Sequence, residues 1–437
     1  MRLPSGSSII ALLPENGLLF RSEDLGGGLR LHLHRTKAFK TISARLALHA
    51  NLDDQSAARA MVPRVLARGT RRLPGLREIQ VELDRLYGAG LSGEARKIGE
   101  RQIVQFRTDW VVDRLAGEPV TDAVGDLLGE YLHEPALDAE GGLREEVFVQ
   151  ERKMMADEAR AVFDDKGRYA RFRLVEEMCR GEPFARPAIG HLSEIEALTV
   201  SDVRRAHADL LARAPADLLI VGQLTWNQAR RFARRLRLNR EVALTRLKRA
   251  VRCKAGKPRT VRERQDVGQA KLEFGFRVKG SKSLRQHVAT VLMNAIFGGS
   301  PVSKLFKNVR EKESLCYSVG SVYDRSKGIL VVQAGIEEAN YARARRLVLA
   351  QLDDLRKGRI SEEEDRFTRG LLASGLRTIH DSPGGLIEFA LERAVNGVPA
   401  DLQGFMEALA SVRAADLARA ARGVELDTVY LLAGKGD

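Results

Sequence analysis

Arg310 and Tyr317 stand seven residues apart in VREKESLCYSV, and their side chains suit work on a carbonyl or a carboxylate. Arginine presents a planar fork of donors and stays charged at any working pH. A tyrosine hydroxyl donates to an oxygen on which negative charge develops. Their spacing places Arg310 near a helix end and Tyr317 at a strand start. The plain alternatives are a dipole-complementing arginine and a half-buried packing tyrosine. Metal-ligating patterns are scarce. Neither H-x-x-E-H nor H-E-x-x-H occurs in the chain. The nearest fragment, His191-Leu-Ser-Glu194, has Ile195 where a second histidine would stand, and it reads as the start of a helix. His32, His34 and His49 lie near one another, the first two on one face of a strand, without a glutamate base at helical spacing. The three cysteines, Cys179, Cys253 and Cys316, form no CxxC pair, which excludes Cys-rich zinc modules and disulfide scaffolds. Cys316 should face away from Tyr317 on a strand, as a small core residue.

The elements that position these residues follow from periodicity. Residues 28–34 read as a short strand, and Ile42, Ala44, Leu46 and Leu48 alternate as a second. Helices follow over 55–67, closed by Gly69, and over 76–87, with Leu76, Ile79, Leu83 and Leu86 on one stripe. A helix over 200–212, a strand over 216–221 and a helix from Thr225 close this half. In the other half Leu272, Phe274, Phe276 and Val278 alternate as a strand. A helix over 284–297 ends at Gly298 and Gly299. Next come a helix over 302–311, strands over 314–323 and 328–336, and a helix over 341–356. Ser361 and Glu364 form a capping box. A helix over 414–422 and a strand over 428–433 end the pattern. The repeated order predicts an α+β fold of two homologous halves, each with a mixed sheet covered by helices. In chain order these are residues 1–225 and 265–437, joined by a basic hinge over 226–264.

That hinge carries most of the chain's charge. Its 15 Lys and Arg face two acids, leaving about one unit of the +14 total to the rest of the 437 residues. Only Trp226 and Phe232 are aromatic there, and no recognition motif accompanies the charge, so a solvated helix end and linker is expected rather than a nucleic-acid surface. A hydrophobic content of 44% excludes disorder. No apolar run approaches the roughly 18 residues that cross a bilayer. Pro4 and Pro14 break the N-terminal apolar stretch, and no secretory signal is read there. An intracellular, reduced, cytoplasmic protein is expected.

The segments 39–49, ARAMVPRVLARGT (58–70) and FGGSPVSKLFKNVREKESLCYSV (297–319) together resemble the insulinase/pitrilysin-type zinc peptidases, whose inverzincin helix carries H-x-x-E-H. The resemblance runs end to end. It is nearer to a non-catalytic branch, usually encoded beside an intact relative, some of whose members are linked to elongation factor P modification. It implies a processing-peptidase-like fold. Aligned on Gly69-Thr70, the first histidine position is Ala60, the glutamate base is Pro63 and the second histidine is Arg64. Glu158 resembles the third ligand, at a somewhat long interval. Alanine offers no donor, arginine repels a metal and proline cannot be a base, so a catalytic zinc, which needs three protein ligands, is not expected in this chain.

What is retained implies a role. In the resembled family the arginine and tyrosine matching Arg310 and Tyr317 reach a zinc site on a facing unit. Gly298 and Gly299 can let a peptide backbone approach, or only end a helix. The expectation is therefore a catalytically inactive subunit that supplies substrate-binding residues and half a chamber to a zinc-bearing homologous partner, with zinc and base in the partner. A homodimer is expected to be possible in isolation. The alternative is a peptide-binding or scaffold protein with no peptidase role. An independent metallopeptidase using His32, His34 and His49 is a further rival.

Overall fold

Ile42, Ala44, Leu46 and Leu48 are all buried along one strand, as a period of two on a core-facing surface requires. The computed structural model describes residues 20–136, 144–238, 240, 243–247, 254–281, 283–398 and 401–435. Cys253, Pro4, Pro14 and the N-terminal stretch read for a signal lie outside the described residues. Two compact units divide the chain. The first gathers Met1–Ala159, Arg186–Lys248 and Ile379–Ala400; the second gathers Arg160–Ala185, Arg249–Thr378 and Asp401–Asp437.

The first unit holds strands β1 (Arg21–Asp24), β2 (Leu29–Arg35), β3 (Thr41–Asn51), β4 (Gly90–Ile98), β5 (Arg101–Val111) and β6 (Ala216–Gly222) in the order β1-β2-β6-β3-β5-β4. Only β2 and β6 pair in parallel. The second unit holds β7 (Arg259–Gln265), β8 (Ala270–Val278), β9 (Cys316–Asp324), β10 (Ile329–Ile336) and β11 (Val424–Gly434) in the order β7-β11-β8-β10-β9. Here β7 and β11 make the parallel pair. Set side by side, β2-β6-β3-β5-β4 and β7-β11-β8-β10-β9 are one topology used twice, with the parallel pair in the same place. The α+β fold of two like halves is therefore observed, and β1 is an addition to the first.

Each sheet buries one face under helices of its own half. In the first unit Trp110 stacks on Phe232 at 5.1 Å and 8°, and its indole N–H donates to Thr121 Oγ1 at 2.9 Å. Phe232 belongs to the helix Trp226–Arg235, which opens the basic stretch. That helix buries Ala229, Phe232 and Ala233 and turns its arginines outward. At the other end of the stretch, residues 259–265 are strand β7. Five of the arginines have carboxylate partners: Arg230 with Glu23, Arg231 with Asp122, Arg235 with Asp126, Arg237 with Glu134 and Arg264 with Glu338.

The opposite face of each sheet takes a helix from elsewhere in the chain. The helix Lys166–Met178 packs on β8 and β11 of the second unit. Arg277, fully buried on β8, meets Glu182 at 2.5 Å and Asp427 at 3.2 Å, and Lys327 meets the same Glu182. A β-bulge in β11 supplies Asp427 as its extra residue. The helix Pro383–Asn396 packs on β3 and β6 of the first unit. Its Glu388 bonds Arg45 at 2.7 Å and Arg96 at 2.6 Å. Burial alone would raise that carboxyl, but the two arginines hold it below the ordinary range. Each compact unit thus includes a segment from beyond its own stretch of chain order, so the units differ from the divisions 1–225 and 265–437. Among the described residues no helix is long and apolar enough to cross a membrane.

Candidate functional site

The helix Ser56–Leu66 carries Ala60, Pro63 and Arg64. Ten of its residues are buried, so it runs as a core helix between β4, β5 and its neighbouring helices. Pro63 sits inside it, where it has no N–H to give the carbonyl one turn back. The ring of Pro63 lies against β4, because a Cβ built at Gly93 would fall 2.8 Å from Pro63 Cβ. Ala60 is buried, and its methyl joins the core of the unit. Arg64 forms an ion pair with Glu158 and lies 3.9 Å from Glu151. Arg68, one turn further on, also pairs with Glu151. Both glutamates belong to the helix Glu145–Asp164, two turns apart on one face. The structure therefore brings Arg64 and Glu158 together. Glu151 and Arg68 were not singled out in the sequence, although the spacing of seven between the two glutamates was legible.

In the second unit the helix Leu284–Asn294 runs on into a wide π-helical turn, Ala295–Gly299, holding Gly298 and Gly299. Gly298 is pressed against β9: a Cβ there would meet Leu305 Cδ1 at 2.7 Å and Ser321 Oγ at 2.8 Å. Ser321 donates to Asn294 Oδ1 at 2.7 Å and fastens the turn to β9. A second π-helical stretch, Phe306–Lys312, carries Arg310, whose guanidinium lies 4.6 Å from the Phe306 ring centroid. Lys304, just before it, is buried and bonds both oxygens of Glu364 at 3.0 Å. Glu364 in turn caps the helix Glu362–Ile379 through Ser361.

The chain then turns sharply into β9. Ser314 has φ of +51°, and its N–H bonds the carbonyl of Arg310 at 3.1 Å. On β9, Cys316 pairs with Ile336 and Ser318 with Gly335, which leaves Tyr317 as the extra residue of a bulge. A bulge re-aims a side chain, and Tyr317 is 75% exposed on this edge strand. Cys316 points inward into the core, where burial pushes its thiol up to about 11. Arg310 and Tyr317 are both exposed and stand on either side of the Ser314 turn.

The histidines make a different centre. Asp217, fully buried on β6, accepts from His32 Nε2 at 3.0 Å and from His49 Nε2 at 2.9 Å. Arg30 adds a bidentate pair at 2.8 and 2.9 Å. Burial alone would raise the carboxyl, but the histidine hydrogen bonds keep it well below its ordinary value. His34 lies instead beside Phe20. The guanidinium already seated on both oxygens makes this a polar core cluster rather than a cation site. Among the described residues no group of His, Cys, Asp and Glu is arranged to hold a metal ion. The backbone N–H of His191 bonds Glu194 at 2.9 Å in a capping box, as a helix start.

Comparison with known proteins places this geometry. The chain is 30% identical over 411 residues to the "Probable inactive metalloprotease YmfF" of Bacillus subtilis, covering 93% of this chain and 96% of that one. The chain belongs to the M16 peptidase family. The family's Peptidase M16 inactive domain matches residues 197–368. An uncharacterized zinc protease of Mycobacterium tuberculosis is 27% identical over 205 residues, 44% of this chain and 45% of that one. A conserved protein from Enterococcus faecalis shares the fold at a TM-score of 0.85, with 23% identity, covering 97% of this chain and all of that one. A peptidase M16 inactive domain from Pseudomonas fluorescens superposes at 0.78, with 16% identity, over 97% of this chain and 99% of that one. Both relatives and residues mark an M16 homologue of the inactive type. The zinc of the M16 peptidases does not fit Ala60, Pro63 and Arg64: they offer no neutral nitrogen or sulfur donor, and a guanidinium already occupies Glu158.

Proposed function

We propose that this M16 homologue is the non-catalytic subunit of a two-chain peptidase, paired with a homologous subunit that carries the zinc and the general base. The observation that supports this reading is the bulge that turns Tyr317 outward on an edge strand, with exposed Arg310 on the other side of the Ser314 turn, in a chain where Arg64 and Glu158, both read at metal-ligand positions, are joined as an ion pair. Arg310 would grip a peptide carbonyl or carboxylate bidentately, and the Tyr317 hydroxyl would donate to the oxyanion as water attacks in the partner. Gly298 and Gly299 would shape the floor of that contact. In this arrangement the chain would supply half of a chamber, located in the cytoplasm, to its zinc-bearing partner. Size selection by the chamber favours unfolded peptides.

The test is reconstitution of the chain with a zinc-bearing homologue encoded beside it, followed by a peptide cleavage assay. Arg310→Ala and Tyr317→Phe are each expected to cut kcat/KM about 100-fold, the scale of one lost oxyanion donor, with assembly intact by size exclusion. Cleavage unchanged by both variants would leave the second reading, a peptide-binding scaffold with no peptidase role. That reading draws on the same edge strand, where Tyr317 and Val322 both stand exposed for strand addition.

A further inference from the structure

We infer that Arg64 is a built-in cation that closes the degenerate metal position from within the chain, clamping Glu151 and Glu158 jointly with Arg68 so that the two helices are held without any metal. The inference rests on the placement of Ala60, Pro63 and Arg64 described above. A buried carboxylate needs a compensating charge, and Glu151 is buried. Glu158 lies two turns along the same helix, so the two acids make a negative stripe facing the helix Ser56–Leu66. In the resembled zinc site the carboxylate matching Glu158 would face the metal. Here the compensating charge comes from Arg64 on Glu158 and Arg68 on Glu151, with Arg64 Nη1 also 3.9 Å from Glu151.

The substitution is complete at each position. Where the first ligand would stand, the Ala60 methyl is core. Where the base would stand, the Pro63 ring fills the space over Gly93 of β4. Where the second ligand would stand, a guanidinium forks toward both acids. A guanidinium keeps its charge at any working pH and cannot be chelated away, unlike a metal. The geometry therefore ties the helix pair by ion pairs and sets a fixed positive charge against the acids that a divalent cation would need. It also keeps the scaffold behind edge strand β4 intact without the ion.

Three variants of the full-length untagged chain test this: Arg64→Met, Glu158→Gln and the two combined. A fourth, Ala60→His with Arg64→His, restores two ligands beside Glu158. Zinc content after dialysis against zinc and the melting temperature with zinc or EDTA are the readouts. The wild type is expected to retain no zinc and to melt at the same temperature in EDTA and in equimolar zinc. Arg64→Met and Glu158→Gln should each lower the melting temperature by about 2 °C, and the combination should fall no further than either alone. The double-histidine variant should retain stoichiometric zinc and melt higher with it than in EDTA. Zinc bound by the wild type, or additive losses in the combined variant, would overturn the clamp. A folded double-histidine variant that takes no zinc would overturn the placement of Arg64 at the metal position. If that variant fails to fold, the Arg64–Glu158 cycle still decides. None of these readouts involves a partner, so loss of the subunit reading in the cleavage assay leaves them standing, and the reverse.

Discussion

At the scale of single residues, the second unit contains a carboxyl held in the wrong charge state for water. Glu273 on the central strand β8 is 2% exposed, and its Oε2 has no hydrogen-bond partner. Burial pushes its pKa up from 4.5 to about 8; Arg171 and Lys271 oppose that push without cancelling it. The folded protein therefore binds the proton more tightly than the unfolded chain does. Stability from this group is full below the unfolded value and falls as pH rises, until the folded value is reached. Glu273→Gln removes that dependence. We expect the variant and the wild type to melt alike at about pH 4 and the variant to melt progressively higher as pH climbs to about 8. Thermal melts across that window check it; a difference that is flat in pH would refute it. Arg277 is the contrasting case, since its buried guanidinium is matched by Glu182 and Asp427.

At the scale of elements, the segment that carries Arg310 is held by one buried ion pair. Lys304 and Glu364 are both nearly out of water, and Glu364 also caps the following helix. Breaking such a pair on one side strands the other charge. Lys304→Met is expected to cost about 3–5 kcal/mol, whereas Lys304→Met with Glu364→Leu should recover much of that loss, apart from the cap. Urea melts of the single and double variants distinguish the two cases; a double variant no better than the single would show that the pair acts through more than its charges. The strand signals at this scale were legible where residues alternate, as in β3 and β8. The β4–β5 hairpin was not read, since β4 mixes half-buried and exposed positions along an edge. The helices Lys166–Met178 and Pro383–Asn396 were also missed. Their burial is set by sheets far away in the chain, which no local periodicity records.

At the scale of the whole molecule the chain keeps a net charge of +14, but five arginines of its most basic stretch are tied to carboxylates within their own unit. Arg230, Arg231, Arg235, Arg237 and Arg264 of the basic stretch all pair with Asp or Glu. A nucleic-acid binder would leave such arginines free to displace counterions from phosphates. Fluorescence anisotropy with a labelled oligonucleotide is therefore expected to show only weak binding at about 150 mM salt with a shallow salt slope. A steep slope, lost when arginines of the stretch are changed to glutamine, would return the nucleic-acid reading.

Sequence alone determined the duplicated α+β order and the strands β2, β3, β6, β8 and β10, and its resemblance read Ala60, Pro63 and Arg64, none of them a zinc donor, at the positions of metal ligands. It could do so because periodicity is local and a missing donor is visible in the residue type itself. It also placed Arg310 and Tyr317 on one short segment. Tertiary structure alone decided what those positions touch. The Arg64–Glu158 pair joins residues 94 positions apart, the Asp217 cluster draws on three strands, and the bulge at Tyr317 depends on its register with β10. Ion pairs, cross-strand register and packing onto distant sheets depend on distances in space, which a linear spacing does not encode.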